Sequence, residues 1–389
     1  MSCFRCVWTK IGTNMAGPIA RWCLLTFMLF MLIAGSCNTL SLKAQDRQSS
    51  LQDSYNHPYF QTACMFLGEF LCFFPYFVTR LRSPRPSQLR KSGLKNRLGA
   101  FIFALPAFCD LVSTAIMLVG LGLTTASVYQ MLKGLVVVVV ALYSVIFLRR
   151  RLYRHQVLGV VFVFVGVVIV GLGSVFMSSG DSRNPALGAI LIVLGQFLGG
   201  ANWVIEEKFF GDIVVPPLLA VGIEGLSGLC YFAILLPVFY YIPCYNTNMC
   251  AGSGHVENVP YALKQVGADG WLMFFFIGNI FSVAIFNWSS LSVTKNASSL
   301  ARSTIDTSRT VVVWAVDLII GWEEFSFVQL VGFLLLAFGS FVYNEVVVLP
   351  WFGFKEAVAR HQEETAKRKI LTDDTEDGDL GYRLEEDGR

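Results

Sequence analysis

An all-α membrane protein, with ten transmembrane helices arranged as two inverted five-helix repeats, is the fold this sequence predicts. Three observations carry it. Apolar runs of about 20 residues, the length that crosses a bilayer core, recur along the chain. Charged residues make up only 15% of the sequence, against about 25% in a soluble domain. Residue patterns of the first half also return, in the same order, in the second. The net charge of +3 is too small to argue for nucleic acid.

In chain order, a basic lead (1–21) precedes a first span over 22–42. Its small residues Ala34, Gly35 and Ser36 imitate a signal-peptide cleavage site, but the apolar run continues past them, so an uncleaved span is expected. A polar loop (43–57) leads to a second span over 58–78, with Glu69 near its middle. A basic, Pro/Ser-rich loop carries Arg80, Arg82, Arg85, Arg90, Lys91, Lys95 and Arg97. The third span, 98–119, contains Pro106 and Asp110, and a Gly120/Gly122 turn leads into the fourth, 126–148, closed by Arg149, Arg150 and Arg151. The fifth covers 155–177 and the sixth 186–205, the latter ending in Glu206, Glu207 and Lys208, which read as a cytoplasmic rim. The seventh spans 218–241, after Pro216-Pro217; a polar loop, 242–270, follows. The eighth (271–291), ninth (298–320) and tenth (325–349) complete the set. Asp317 is expected to be solvated at a span end. A charged tail, 350–389, turns acidic and reads as a solvated segment that soluble protein partners can reach.

Basic residues concentrate in alternate connections, which places both termini in the cytoplasm. The sequons at Asn287 and Asn296 then fall in or beside spans and are expected to stay unmodified. Cys244 and Cys250 share the 242–270 loop and can bridge if that loop is lumenal. Most other cysteines, such as Cys23, Cys64, Cys72, Cys109 and Cys230, lie in apolar runs and are expected to pack as small hydrophobes.

The repeat is read from matched positions. Gln156, Gly159 and Gly166 give QxxGx₆G, and Gln329, Gly332 and Gly339 give it again 173 positions later (329 − 156). Asp110-x-x-Ser113-x-Ala115-Ile116 matches Asn279-x-x-Ser282-x-Ala284-Ile285, and Gln130-x-x-Lys133 matches Asp306-x-x-Arg309. The first and sixth spans share GxxN, at Gly35/Asn38 and Gly199/Asn202; the second and seventh each carry one glutamate, Glu69 and Glu224. Five spans is an odd number, so the second copy must lie inverted in the membrane. Inverted repeats with a solute site at the midplane are the architecture of secondary transporters.

Charge inside a span is costly and marks function by default. Lys133 and Arg309, at equivalent positions of the two copies, are expected to face one central cavity and hold a phosphate or carboxylate, Lys as a point charge and Arg as a planar fork. Gln130 and Tyr129 flank Lys133; Asp306 flanks Arg309, three residues away, and can pair with it along the helix. Asn38 and Asn287 are further expected solute contacts. Glu69, Asp110 and Glu224 are expected sites for proton or ion coupling, with structural pairing to Lys133 or a serine as the alternative. Small residues such as Gly159, Gly166, Gly195, Gly199 and Gly200 are expected to let helices approach closely. The histidines are scattered over loops and span ends. No catalytic group, metal site or cofactor is expected.

The stretches GSCNTLSLK (35–43), HPYFQTACMFLGEF (57–70), ASVYQMLKG (126–134), EEKF (206–209), VGIEGLSG (221–228), YYIP (240–243), GNIFSVAIFNWSSLSVTK (278–295) and SRTVVVWAVDLIIGWEEF (308–325) resemble solute carrier family 35, in the drug/metabolite transporter superfamily, and within it the F subfamily. The resemblance implies ten spans in two inverted repeats and alternating access to an endomembrane lumen, lysosomal or Golgi, with a mitochondrial membrane as the alternative. It implies a small polar, anionic, nucleotide-sugar-like solute. Two other readings stay open: a proton-coupled carrier of a cationic or neutral metabolite through Glu69, Asp110 and Glu224, and a non-transporting membrane scaffold. The partners expected are the lipid bilayer and a small-molecule solute, with a homodimer as one option.

Overall fold

The computed structural model describes residues 18–51, 53–82, 100–123, 129, 132–149, 152–177, 185–212, 215–244, 254–322, 325, 327–343, 347, 353 and 356. Most of the basic lead, most of the basic loop, Gln130, Cys250 and most of the tail lie outside them. The described chain is almost wholly helical: α1 (Pro18–Arg47), α2 (Pro58–Leu71), α3 (Phe73–Arg82), α4 (Ala104–Leu123), α5 (Val136–Ile146), α6 (Arg154–Met177), α7 (Pro185–Asp212), α8 (Pro217–Tyr241), α9 (Val259–Ala268), α10 (Gly270–Asn296), α11 (Ser299–Ile320) and α12 (Phe327–Tyr343). A two-stranded hairpin, β1 (Ser49–Ser50) with β2 (Asp53–Ser54), is antiparallel, with Ser50 opposite Asp53.

The sequence explains the boundaries. Pro58 opens α2 and Pro217 opens α8, at positions where a missing N–H costs nothing. The second expected span is broken into α2 and α3, because Pro75 cannot donate to, and clashes with, the carbonyl of Leu71 four residues back. Asp269 caps α10 by accepting from Trp271 N at 2.9 Å, and Ser298 caps α11 by accepting from Ala301 N at 3.0 Å. Gly321, at φ 77°, ends α11 in the left-handed conformation that suits glycine. The fourth expected span is interrupted: a turn at Gly134 and Leu135 separates helical Leu132 and Lys133 from α5. The expected irregular loops are also more ordered than their composition suggests. α1 runs on to Arg47, and the 242–270 connection contains α9.

Among the described residues, six helical stretches are long and apolar enough to cross a membrane: Trp22–Arg47, Pro58–Leu81, Phe101–Leu121, Leu187–Gly211, Pro217–Tyr241 and Gly270–Asn296. Val136–Ile146, Arg154–Ile169 and Leu330–Tyr343 are apolar but shorter. α11 has the length and carries Arg302, Asp306, Arg309 and Asp317. Large apolar side chains point outward along the helices, Ile319 at 84% and Phe74 at 74% exposure among them. Water would not support such a surface, and lipid does.

α6 packs along α12, α4 along α7, and α1 along both α10 and α11; α2 packs on α8 and α10, α5 on α7 and α11, and α4 on α8. Glycines make the closest of these approaches. A Cβ on Gly159 would stand 2.8 Å from Gly339 O, and one on Gly166 2.7 Å from Gly332 O, so α6 and α12 cross antiparallel with their glycines facing. Gly195, Gly199 and Gly200 do the same against Met117, Ser113 and Val139. The largest apolar core joins Phe27, Met31, Val137, Val140, Val163, Leu300 and Trp314, drawn from both halves of the chain.

Candidate functional site

The polar centre of the bundle is built round Arg302, in the first turn of α11. It is 4% exposed, pairs with Glu206 of α7, and lies with its guanidinium 4.6 Å over the Trp203 ring. Asn202 also hydrogen-bonds Glu206. Glu207, next in the chain, accepts from Ser299 N at 2.9 Å and Ser299 Oγ at 2.5 Å, which ties α7 to the start of α11. The expected cytoplasmic rim is therefore corrected: Glu206 and Glu207 are buried, since the end of α7 meets α11 rather than water.

Three more carboxyl groups surround this pair. Glu69 of α2 accepts from Asn287 Nδ2 at 2.5 Å, while its Oε2 has no partner among the described residues. Glu224 of α8 is buried, its Oε1 also without a partner among the described residues. Gly225 brings α8 against the backbone and Cβ of Glu69. Asp110 of α4 is partly buried. Arg302 lies in electrostatic range of Glu69, Asp110, Glu206 and Glu224, and Lys133 in range of Asp110. The three expected coupling carboxyls thus gather with a fourth, Glu206, that sequence reasoning passed over. Asn287 joins this cluster through Glu69.

Lys133 and Arg309 occupy separate settings. Lys133 Nζ lies 5.5 Å over the Tyr129 ring and has no ion-pair partner among the described residues. Arg309 is engaged on several sides: Nη2 pairs with Asp306 Oδ1 at 3.1 Å, Nη1 donates to Gly35 O at 3.4 Å, and the guanidinium lies 5.0 Å from the Phe286 ring. The intrahelical Asp306–Arg309 pair is thus formed. Asn38, one turn from Gly35, is 4% exposed, with Oδ1 unpartnered among the described residues. Gln130 lies outside the described residues.

At the other end of α11, Asp317 is 1% exposed and accepts from Lys43 Nζ at 2.5 Å, which corrects its expected solvation. The same separation of 274 positions joins Gly35 to Arg309 and Lys43 to Asp317, so α1 and α11 run parallel in fixed register. α11 is therefore held at one end to α7 and at the other to α1. Cys244 is disulfide-bonded, to a partner outside the described residues. Cys64 and Cys72 are buried as expected, while Cys230 is exposed on α8.

A model of the EamA-like transporter family matches residues 21–172. Solute carrier family 35 member F6 of Rattus norvegicus is 39% identical over 351 residues, which cover 87% of this chain and 89% of the relative. The Homo sapiens protein of that name is 38% identical, covering 87% and 90%. A solved crystal structure superposes with a TM-score of 0.55 at 15% identity, over 83% of this chain and 96% of that one, and shares the fold. Identity of this level over nearly the whole chain, on a bundle of lipid-facing helices with a charged interior, makes this a multi-pass membrane protein that belongs to solute carrier family 35, in its F6-like group of drug/metabolite transporters.

Proposed function

We propose that the chain is a secondary-active carrier that moves a small polar metabolite by alternating access and couples it to protons. The observation that carries this is the gathering of Glu69, Asp110, Glu206 and Glu224 about one guanidinium, that of Arg302. If all were ionised, four negative charges would face Arg302, with Lys133 in range of Asp110 alone, in a largely buried volume. Such an excess must be balanced by bound protons or by a cation, because buried unpaired charge is very costly. A centre that needs protons to be neutral can exchange them as it meets either side of the membrane.

The reading takes residues 22–180 and 181–349 as two inverted five-span repeats, with the lead 1–21 and the tail 350–389 in the cytoplasm. The pairing of helices supports it. Exchange the halves span for span, and α1·α10 becomes α7·α4, α1·α11 becomes α7·α5, and α2·α10 becomes α8·α4; α2·α8, α5·α11 and α6·α12 map onto themselves. The facing pairs Gly159–Gly339 and Gly166–Gly332 interchange in the same way. The disulfide at Cys244 supports a lumenal, oxidising side for the loop after α8, opposite the basic loops, and with it an endomembrane location, lysosomal or Golgi.

For the solute, Lys133 supports an anion of nucleotide or nucleotide-sugar type. Its charge has no carboxylate in ion-pair contact among the described residues, and Tyr129 beside it offers a ring face for a base or sugar. The acid excess round Arg302 favours the second reading, a cationic or neutral solute exchanged for protons. Purified protein in liposomes, offered nucleotide sugars, nucleotides, amino acids and amines at two pH values, separates the two. Anion uptake abolished by Lys133→Ala supports the first reading; uptake of an amine that survives Lys133→Ala supports the second; no uptake of any class sinks both.

A further inference from the structure

The two polar loops on the Cys244 side of the bundle fold together over a buried histidine. His57 Nδ1 lies 2.6 Å from Glu257 Oε1, and His57 Nε2 lies 3.1 Å from Gln265 Oε1. His57 is 1% exposed, and Glu257 and Gln265 are 0%. The surrounding bonds settle which atoms carry hydrogen. Gln265 Nε2 donates to Ser50 O at 3.2 Å, so its Oε1 is the atom turned to the ring and His57 Nε2 must donate. Glu257 accepts from Asn258 N at 2.9 Å through Oε1 and from Phe60 N at 3.0 Å through Oε2, as an ionised carboxylate does. Nδ1 must then donate as well. Both ring nitrogens carry hydrogen, so the ring is an imidazolium facing a carboxylate. Moving that proton onto Glu257 changes nothing in the count: the group holds one proton more than a neutral histidine beside a carboxylate.

This cluster joins segments from the two halves of the chain. His57 and the hairpin at Ser49–Ser54 come from the connection between α1 and α2; Glu257 and α9 come from the connection between α8 and α10. Ser50 Oγ donates to Gln265 O at 3.0 Å, and Tyr55, Phe60, Cys64, Ala262, Val266 and Leu272 pack beneath. The other titratable groups against it are Tyr55, whose ring is 5.2 Å from that of His57, Tyr261 at 6.1 Å, and Tyr59 and Cys64 of α2, which feel the charge of Glu257. Burial, with the negative charge of Glu257 nearby, pushes the Tyr55 hydroxyl well above its ordinary range, so it stays neutral. Asp46 is held one hydrogen bond away by Gln61, and the Lys43–Asp317 pair lies beyond on α1 and α11.

We propose that this cluster is a proton-sensitive clasp: it closes the loop side of the bundle when protonated and releases it when the proton leaves. Without the proton, the lone pair of Nδ1 faces a carboxylate oxygen at hydrogen-bond distance with nothing to share. A buried carboxylate that loses its partner is strongly destabilising. Histidine is the side chain that ordinarily exchanges its proton between about pH 5 and 8. Above the pH at which an exposed histidine gives up its proton, the clasped state binds one proton more than the open state, so closure is fully favoured in acid and rising pH favours opening. On a lumenal face the clasp reports the acidity of the compartment. Its role in gating rests on the carrier reading; the clasp itself does not.

The test reads the loops and not transport. Amide hydrogen exchange of the full-length protein in detergent is followed over 48–57 and 254–266, as protection factors corrected for intrinsic rates, between pH 5 and 8. The wild type is expected to lose protection as pH rises, by at most about tenfold per pH unit for one linked proton. The double variant His57→Gln/Glu257→Gln holds no exchangeable charge but gives up one of the two acceptors at position 257; its protection is expected to be lower than that of the wild type at acid pH and flat with pH. His57→Ala is expected to show low protection at every pH. Flat protection in the wild type, or an unchanged pH response in the double variant, overturns the clasp. A carrier found inactive in liposomes leaves the exchange result standing.

Discussion

Removing Arg302 is the sharpest perturbation the structure offers. The guanidinium is 4% exposed, pairs with Glu206 and covers the Trp203 ring, and it is the cation that Glu69, Asp110 and Glu224 also feel. Breaking a buried pair by deleting one partner costs about 3–5 kcal/mol, because the other charge is left uncompensated. Loss of the stacking on Trp203 adds about 0.5–2 kcal/mol. Arg302→Met should therefore cost at least 3 kcal/mol. Glu206→Gln should cost less, since three carboxyl groups remain to balance Arg302. The double variant should be more stable than the sum of the single losses by about 1–3 kcal/mol, the coupling expected of residues in contact. Denaturant titration in detergent micelles measures all three. An Arg302→Met variant within about 0.5 kcal/mol of the wild type, the size of an ordinary surface change, would refute the reading of this centre, as would strictly additive losses.

Two further outcomes follow from the packing. Gly159→Leu puts a side chain where even a Cβ would stand 2.8 Å from Gly339 O and from Tyr343 Cβ, so α6 and α12 must separate; a loss of about 1–3 kcal/mol is expected in the same titration, larger than for a neighbouring outward position such as Val161→Leu. Asp317→Asn removes the buried partner of a largely buried Lys43 and should cost about 1–3 kcal/mol, while the exchanged pair Lys43→Asp/Asp317→Lys should recover most of it, read as thermal stability in detergent.

Which features could be read from the sequence follows from how local their signals are. The apolar runs, the capping residues and the glycine spacing of QxxGx₆G are written within single helices, and each is visible in the fold. The α2–α3 break needed only Pro75 counted back four residues to Leu71. The pairings at the centre are of another kind. Glu206 and Arg302 are 96 positions apart, and a Glu-Glu-Lys triplet at the end of an apolar run looks like a water-facing rim until α11 is laid against it. His57 and Glu257 are 200 apart, and two-residue strands carry no periodicity to find. The sequence singles out Arg309 by its charge and by its match to Lys133 in the repeat. That it already has Asp306, Gly35 and Phe286 for company depends on the register of α1 and α10 against α11.

Proton coupling through the carboxyl cluster is tested most directly in proteoliposomes that carry a pH gradient and no other driving force. The wild type should accumulate its solute against a gradient when ΔpH is imposed and stop when ΔpH is collapsed. Glu69→Gln/Asp110→Asn/Glu224→Gln should lose that accumulation while still exchanging labelled for unlabelled solute at equal concentration. Accumulation that ignores ΔpH in the wild type, or that survives intact in the triple variant, contradicts the account.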